Sequence, residues 1–289
     1  MSATPESDFE AILRFTRTYP EVCDHVVDMP YRLCSPSAQD PRNLRLWRDP
    51  AGEVIAFGLI QQQFSTLDWA TAPGFDPLKP DLFAWAIARL AQSRAEQGFD
   101  LGFLIGSQQV DDAALLNTGF EPDGWSMRHL SMPLDARPLE PVVPPGVRFR
   151  PLAGLAEVES YVALHRAAFD SRNMSVEWRS RILADPAYQP ALDLVAEDEQ
   201  GRLVAFCIGW VSDVHGVKTG QIEPLGVLPE MHQRGIGRAI LLSTLLRMQQ
   251  HGCAIARIDS VSGNNASNVL YESVGFEQDE ETVQYFRWF

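Results

Sequence analysis

Residues 222–248 read IEPLGVLPEMHQRGIGRAILLSTLLRM, and the order of chemistry along them decides the fold. Ile222 to Val227 is a short apolar run closed by Pro229, which suits a buried strand. Pro229 to Gly237 is a turn in which Gly235 and Gly237 stand beside Arg234 and Arg238. From Ala239 to Met248, residues Ile240, Leu241, Thr244, Leu245 and Met248 share one helical face. A glycine-bearing turn between a strand and a helix leaves backbone N–H groups pointing outward at the positive end of the helix dipole, which makes a phosphate cradle. Without a Cβ at either glycine, a phosphate can come close to the main chain.

Two phosphate motifs do not fit. A P-loop needs Lys-Ser/Thr after its second glycine, and a dinucleotide fingerprint needs a third glycine where Ile240 stands. What remains, Gly-x-Gly after Leu225-Gly226-Val227, resembles the coenzyme A pyrophosphate loop of the GNAT family of N-acetyltransferases, whose pattern is Gln/Arg-x-x-Gly-x-Gly/Ala. His232 occupies the first position, a departure, with Gln233 and Arg234 directly after it. The grip is by main-chain N–H groups, so the departure costs little. The resemblance implies acetyl-CoA as co-substrate, held by Leu225, Gly226, Val227, Gln233, Arg234, Gly235, Ile236, Gly237 and Arg238.

A second stretch carries the resemblance further. After a strand at Ala254 to Val261 come Asn264-Asn265-Ala266-Ser267-Asn268-Val269-Leu270-Tyr271, then Gly275-Phe276. This resembles the second GNAT signature, Asn-x-x-Ala-x-x-Leu-Tyr followed by Gly-Phe, with Ser267 in place of Ala. Asn264 suits a helix N-cap and can reach a ligand amide, and Tyr271 lies about two turns along on the same face. The resemblance implies acyl transfer from a thioester to an amine by direct attack in a ternary complex. The N–H of Val227 then serves the oxyanion, Tyr271 is the general acid for the departing thiolate, and Glu223 takes the amine proton directly or through water. Structural alternatives stand beside each role: Tyr271 as a core aromatic, Asn264 as a cap only, Glu223 as an ordinary strand residue. Asn264 and Ser267 complete the cofactor-binding set.

The 289 residues suit one large domain or two ordinary ones, and 45% hydrophobic content is ample for a core. No apolar run reaches the roughly 18 residues of a membrane span. The start, MSATPESDFEAILRF, lacks the basic and apolar segments of a secretory signal. Cys23, Cys34, Cys207 and Cys253 are scattered without C-x-x-C spacing, which suits reduced thiols and a cytoplasmic protein. No cysteine shows a Cys-His pairing, and His215, His232 and His251 show no ligand spacing, so neither a covalent enzyme intermediate nor a metal is expected. The net charge of -14 argues against nucleic acid and anionic membranes, and is compatible with an amine substrate.

The chain also repeats itself. Gly52-Glu53-Val54-Ile55-Ala56-Phe57 matches Gly201-Arg202-Leu203-Val204-Ala205-Phe206, and Gly119-Phe120-Glu121-Pro122-Asp123 matches Gly275-Phe276-Glu277-Gln278-Asp279. Both offsets are roughly 150 residues, about one domain length. Residues 133–146, PLDARPLEPVVPPG, read as a linker. The expected architecture is therefore α/β, with a mixed sheet flanked by helices, as two tandem GNAT-like domains: a degenerate copy at 1–132 and a catalytic copy at 147–289. The first copy has Leu115 where the second has Tyr271, and three prolines in PGFDPLKP (73–80) where the second has its glycine loop. It is expected not to bind coenzyme A there.

The expected function is an acetyl-CoA-dependent N-acetyltransferase acting on a small-molecule or peptide amine, with room for a homodimer. A non-catalytic acyl-CoA sensor on the same fold and a nucleotide-binding enzyme stay open as rivals.

Overall fold

The computed structural model describes residues 7–135 and 139–289. The first six residues, which entered the reading of the leader, and residues 136–138 of the linker lie outside them. The elements run α1 (Asp8–Thr18), α2 (Met29–Leu33), β1 (Leu44–Arg48), β2 (Val54–Gln61), β3 (Thr66–Thr71), α3 (Lys79–Gln97), β4 (Gly102–Ser107), α4 (Ala113–Leu116) and β5 (Glu121–Pro133). They continue with β6 (Val147–Pro151), α5 (Val158–Phe169), α6 (Val176–Ala184), β7 (Asp193–Asp198), β8 (Leu203–Val214), β9 (Val217–Val227), α7 (Ile236–Gln250), β10 (Ile255–Val261), α8 (Asn265–Val274) and β11 (Glu277–Trp288). No helix among the described residues is long and apolar enough to cross a membrane.

The chain forms two compact units, neither contiguous in sequence. The first holds residues up to 127 together with 261–263 and 281–289; the second holds 128–260 and 264–280. In the first, the strand order is β1-β2-β3-β4 and then the end of β11, which pairs antiparallel with β4 from Val283↔Ser107 to Trp288↔Gly102. In the second, the end of β5 is followed by β10-β9-β8-β7-β6. Each unit thus holds the closing strand of the other half of the sequence.

Local chemistry explains the elements of the first unit. Ser7 caps α1, and Glu10 returns a hydrogen bond to the Ser7 N–H at 2.9 Å, the reciprocal box that its spacing predicts. The α4 helix is only four residues long. Asp112 takes the cap position by accepting from the Ala114 N–H at 3.0 Å, so the helix cannot begin earlier. Leu82, Phe83 and Leu90 of α3 pack with Ile60, Ile105, Leu115, Phe120 and Tyr285 in one buried cluster.

The repeat is visible down to single hydrogen bonds. In the β1–β2 turn, the Asp49 carboxylate accepts from the Ala51 and Glu53 N–H groups at 2.9 Å each. In the β7–β8 turn, Asp198 accepts from Gln200 and Arg202 at 3.1 and 2.8 Å. Gly52 and Gly201 sit at φ +90 and +79 in these turns, a conformation that favours glycine. The ladder slips at the same place in both hairpins, between Trp47 and Arg48 and between Ala196 and Glu197. Gly58 on β2 and Gly209 on β8 are not at equivalent positions of the repeat, yet each lies under a helix of its own half. A Cβ at either would lie 2.6 Å from Trp85 of α3 or 2.5 Å from Met248 of α7.

Candidate active site

The site is built where β9 stops being shared. On one side β9 pairs with β8 as far as Ala205↔Val227; on the other its parallel ladder with β10 ends at Ile222↔Ile258. Beyond that pair the two central strands part, and Glu223, Leu225 and Val227 border the opening. The β8–β9 register shifts between Cys207 and Gly209, a bulge opposite Glu223-Pro224 that reaims the strand. The Leu228 N–H bonds Val204 O at 2.9 Å, so by alternation the Val227 N–H turns away from β8, towards the opening. The Glu223 carbonyl accepts from Trp210 Nε1 at 2.8 Å, which fixes the backbone at the mouth. Gly226 is needed for packing: a Cβ there would lie 2.5 Å from the Phe206 ring.

The glycine turn follows. The Met231 and His232 N–H groups bond back to Leu228 O and Pro229 O at 2.9 and 3.2 Å, and the Ala239 N–H bonds Gly235 O at 3.0 Å. Between them, among the described residues, no backbone hydrogen bond of good geometry takes the N–H of any residue from Gln233 to Arg238, although residues 232–233 form a turn. Gln233 and Gly235 sit at φ +59 and +77, and such alternation turns successive N–H groups into one concavity. Around Gly235 the nearest atom to an added Cβ would be Pro144 Cγ at 3.8 Å, so a ligand has room. Residues 232–235 and Arg238 are exposed, whereas Ile236 is buried beneath the turn as its anchor. His232 has a structural use: its Nε2 lies 3.0 Å from Val227 O, tying the turn to the strand end. A loop of free amides at the N-terminus of a fifteen-residue helix fits a diphosphate.

Asn264 caps α8, its Oδ1 accepting from the Ser267 N–H at 3.2 Å. Tyr271 is buried, its ring edge-on to Phe276 at 6.2 Å. Burial pushes the Tyr271 hydroxyl well above the ordinary tyrosine range; a hydrogen bond from Ser267 opposes this, and the charges of Glu223 and Asp259 add to it. A phenol so placed keeps its proton at neutral pH and is a donor. The side chain of Ser267 therefore bears on Tyr271, while its N–H satisfies the cap. Cys207 is buried and its thiol is pushed up to about 12 by burial, with a Thr244 hydrogen bond opposing, so no thiolate stands ready there. All four cysteines are free and buried.

Sequence reading missed several groups on the α5 side of β9. Tyr161 and His165 of α5 lie against Phe206, with centroid distances of 5.1 and 5.4 Å. The Arg179 guanidinium of α6 stacks 3.9 Å over Tyr161 and pairs with buried Asp193, which also accepts from the Tyr188 hydroxyl at 2.6 Å. On β10, Asp259 meets His129 of β5 and Gln221 of β9. No local motif marks these residues; only strand pairing brings them together.

A strand pair split by an opening, a glycine turn with exposed amides and a capped helix carrying a buried tyrosine make up the arrangement that the two sequence signatures lead one to expect. The model of the acetyltransferase (GNAT) family matches residues 158–276, the segment that carries the glycine turn and the capped helix. Among solved structures, a tandem GNAT protein from the clavulanic acid biosynthesis pathway aligns with TM-score 0.66 at 12% identity, over 100% of this chain and 97% of that one. A GNAT acetyltransferase from Colwellia psychrerythraea aligns with TM-score 0.60 at 13% identity over 98% of both chains. Both likenesses cover essentially the whole chain and show its fold, which is shared with a tandem GNAT protein. The mycothiol acetyltransferase of Segniliparus rotundus is 32% identical over 51% of this chain and 58% of its own length. That of Kineococcus radiotolerans is 36% identical over 48% of this chain and 46% of its own. The matched region spans about half the length of these curated relatives.

Proposed function

We propose that the chain is an N-acetyltransferase that moves an acetyl group from acetyl-CoA to a small-molecule amine. The observation that carries this reading is the run of uncommitted amides from Gln233 to Arg238 beside the opening of β9 from β10. In this reading the diphosphate lies on those amides, with Arg234 and Arg238 adding charge, and the thioester arm runs into the opening past Leu225 and Val227. The amine nitrogen attacks the thioester carbonyl, and the Val227 N–H donates to the oxyanion. Glu223 takes the ammonium proton, directly or through water. The C–S bond breaks, and Tyr271 gives its proton to the departing sulfur, an effect of about 10²-fold, the low end of general acid catalysis. The depressed nucleophilicity of buried Cys207 supports direct transfer over an acyl-enzyme.

The halves are read as a degenerate copy at 1–132 and a catalytic copy at 147–289, so one coenzyme A binds per chain. Relatives named mycothiol acetyltransferases make amines of mycothiol chemistry the first acceptors to test. Thiol release from acetyl-CoA is measured with glucosamine, an aminoglycoside, an amino-acid amide and a dipeptide. Turnover with at least one amine is expected. Calorimetric binding of coenzyme A at one per chain with no turnover on any amine would instead favour a sensor.

A further inference from the structure

The parallel ladder that ends at Ile222↔Ile258 makes Glu223 and Asp259 the first residues past its end, one on each side of the opening. By alternation from Gln221, whose Nε2 donates to Asp259 Oδ2 at 3.2 Å, Glu223 and Asp259 share one face of the strands. The Asp259 carboxylate is gripped from its other side as well: His129 Nδ1 lies 2.9 Å from Oδ1. His129 is 5% exposed and belongs to the part of β5 that sits in the second unit. A carboxylate held by two side chains on two neighbouring strands has its orientation set before any ligand arrives.

A second observation points to a ligand at the same face. Tyr161, fully buried on α5, has a hydroxyl with no hydrogen-bond partner. Tyr161 packs on Phe206, the ring that covers Gly226 of β9 from the α5 side. A Cβ at Gly220 would meet Met248 of α7, so by alternation Gln221 faces the opposite side, that of Phe206 and α5. An orphan hydroxyl is costly unless something polar meets it. Two carboxylates, a fixed amide and an orphan hydroxyl on one side of the sheet suit a cation that also accepts or donates hydrogen bonds.

We propose that Asp259, oriented by His129 and Gln221, is the second carboxylate of the acceptor site and selects amines that arrive as ammonium ions. The inference rests on the acetyltransferase reading above. Glu223 takes the proton; Asp259 holds the cation before that step, and His129 is its positioning residue. The acceptor class is then a primary ammonium on a polar, hydroxyl-bearing body, with Tyr161 as a partner for the latter.

The test compares glucosamine, cationic at neutral pH, with aniline, which is uncharged there, both at saturating acetyl-CoA. Asp259→Asn is expected to raise KM for glucosamine about 10- to 100-fold, the scale of a lost charge-assisted hydrogen bond. KM for aniline and the calorimetric affinity for acetyl-CoA stay within twofold. Asp259→Glu restores part of the preference, and His129→Gln weakens it in the same sense but less. A variant that loses both amines equally, or keeps the native preference while melting at the native temperature, overturns the inference. Wild-type protein that releases thiol with neither amine removes the acetyltransferase reading itself, and this inference falls with it.

Discussion

The two strand-to-helix connections of this molecule start from the same plan and spend their amides differently. In the first half, from Pro73 to Pro80, three prolines offer no N–H. The Phe75, Leu78 and Lys79 N–H groups are taken by Ala72, Phe75 and Asp76 carbonyls, and the Lys79 ammonium is paired with Asp76 at 3.0 Å. In the second half, residues 233–238 leave their amides uncommitted and their arginines near the loop. The surrounding hairpins repeat hydrogen bond for hydrogen bond. On the proposed reading, ligand competence in this fold is a matter of where a few backbone donors go, and the frame is the same with or without it.

The contrast is easiest to break at Gly235. Gly235→Glu places a carboxylate among the donors at φ +77 and is expected to weaken coenzyme A binding at least about 100-fold. Calorimetry with circular dichroism checks this; unchanged affinity would move the site elsewhere. Tyr271→Phe should lower kcat about 100-fold with little change in coenzyme A affinity, because only the leaving-group proton is lost. The first copy carries Leu115 at this place, so the helix tolerates an apolar side chain, and equal activity would make Tyr271 a packing residue.

A smaller effect separates the halves by pH. Burial and Arg32 pull His25 of the first unit down, but Asp28 and Asp68 outweigh them and raise it to about 9. Its folded form prefers the proton, so its contribution is complete below the unfolded value near 6.5 and is lost as pH rises through 9. His165 of the second unit is held down to about 4 by burial, Arg179 and Arg166. Its contribution is complete above 6.5 and is lost as pH falls towards 4. Hydrogen exchange should therefore show α1–α2 loosening on the alkaline side and α5 on the acid side, each by about 1 kcal/mol per pH unit within its window. His25→Gln and His165→Gln should flatten the respective limbs. Both segments losing protection on the same side would contradict the assignment.

Much of this was legible in the sequence because it is local. The Gly52 and Gly201 turns, the Ser7–Glu10 box, the Gly-Phe ends after α4 and α8 and the Gly235 turn are each written within a few residues. What could not be read is what depends on pairing across distance. The exchange of β5 and β11 between units leaves no local mark, since a strand looks the same whichever neighbour it joins. Asp259 reads as one polar residue in an alternating strand, and His129 as another, until β5 and β10 lie side by side. The α6 helix was missed because its inner face is Trp178, Arg179 and Ile182, and a buried arginine does not announce a core position.

The acetyltransferase function proposed for this chain depends on the amides of residues 233–238. Amide resonances of the full-length protein, followed as coenzyme A is added, test it directly. Shifts concentrated at Gln233 to Arg238 are expected, with those of residues 74–79 unmoved. Shifts centred on the first-half connection, or none at either place despite saturation, would contradict it.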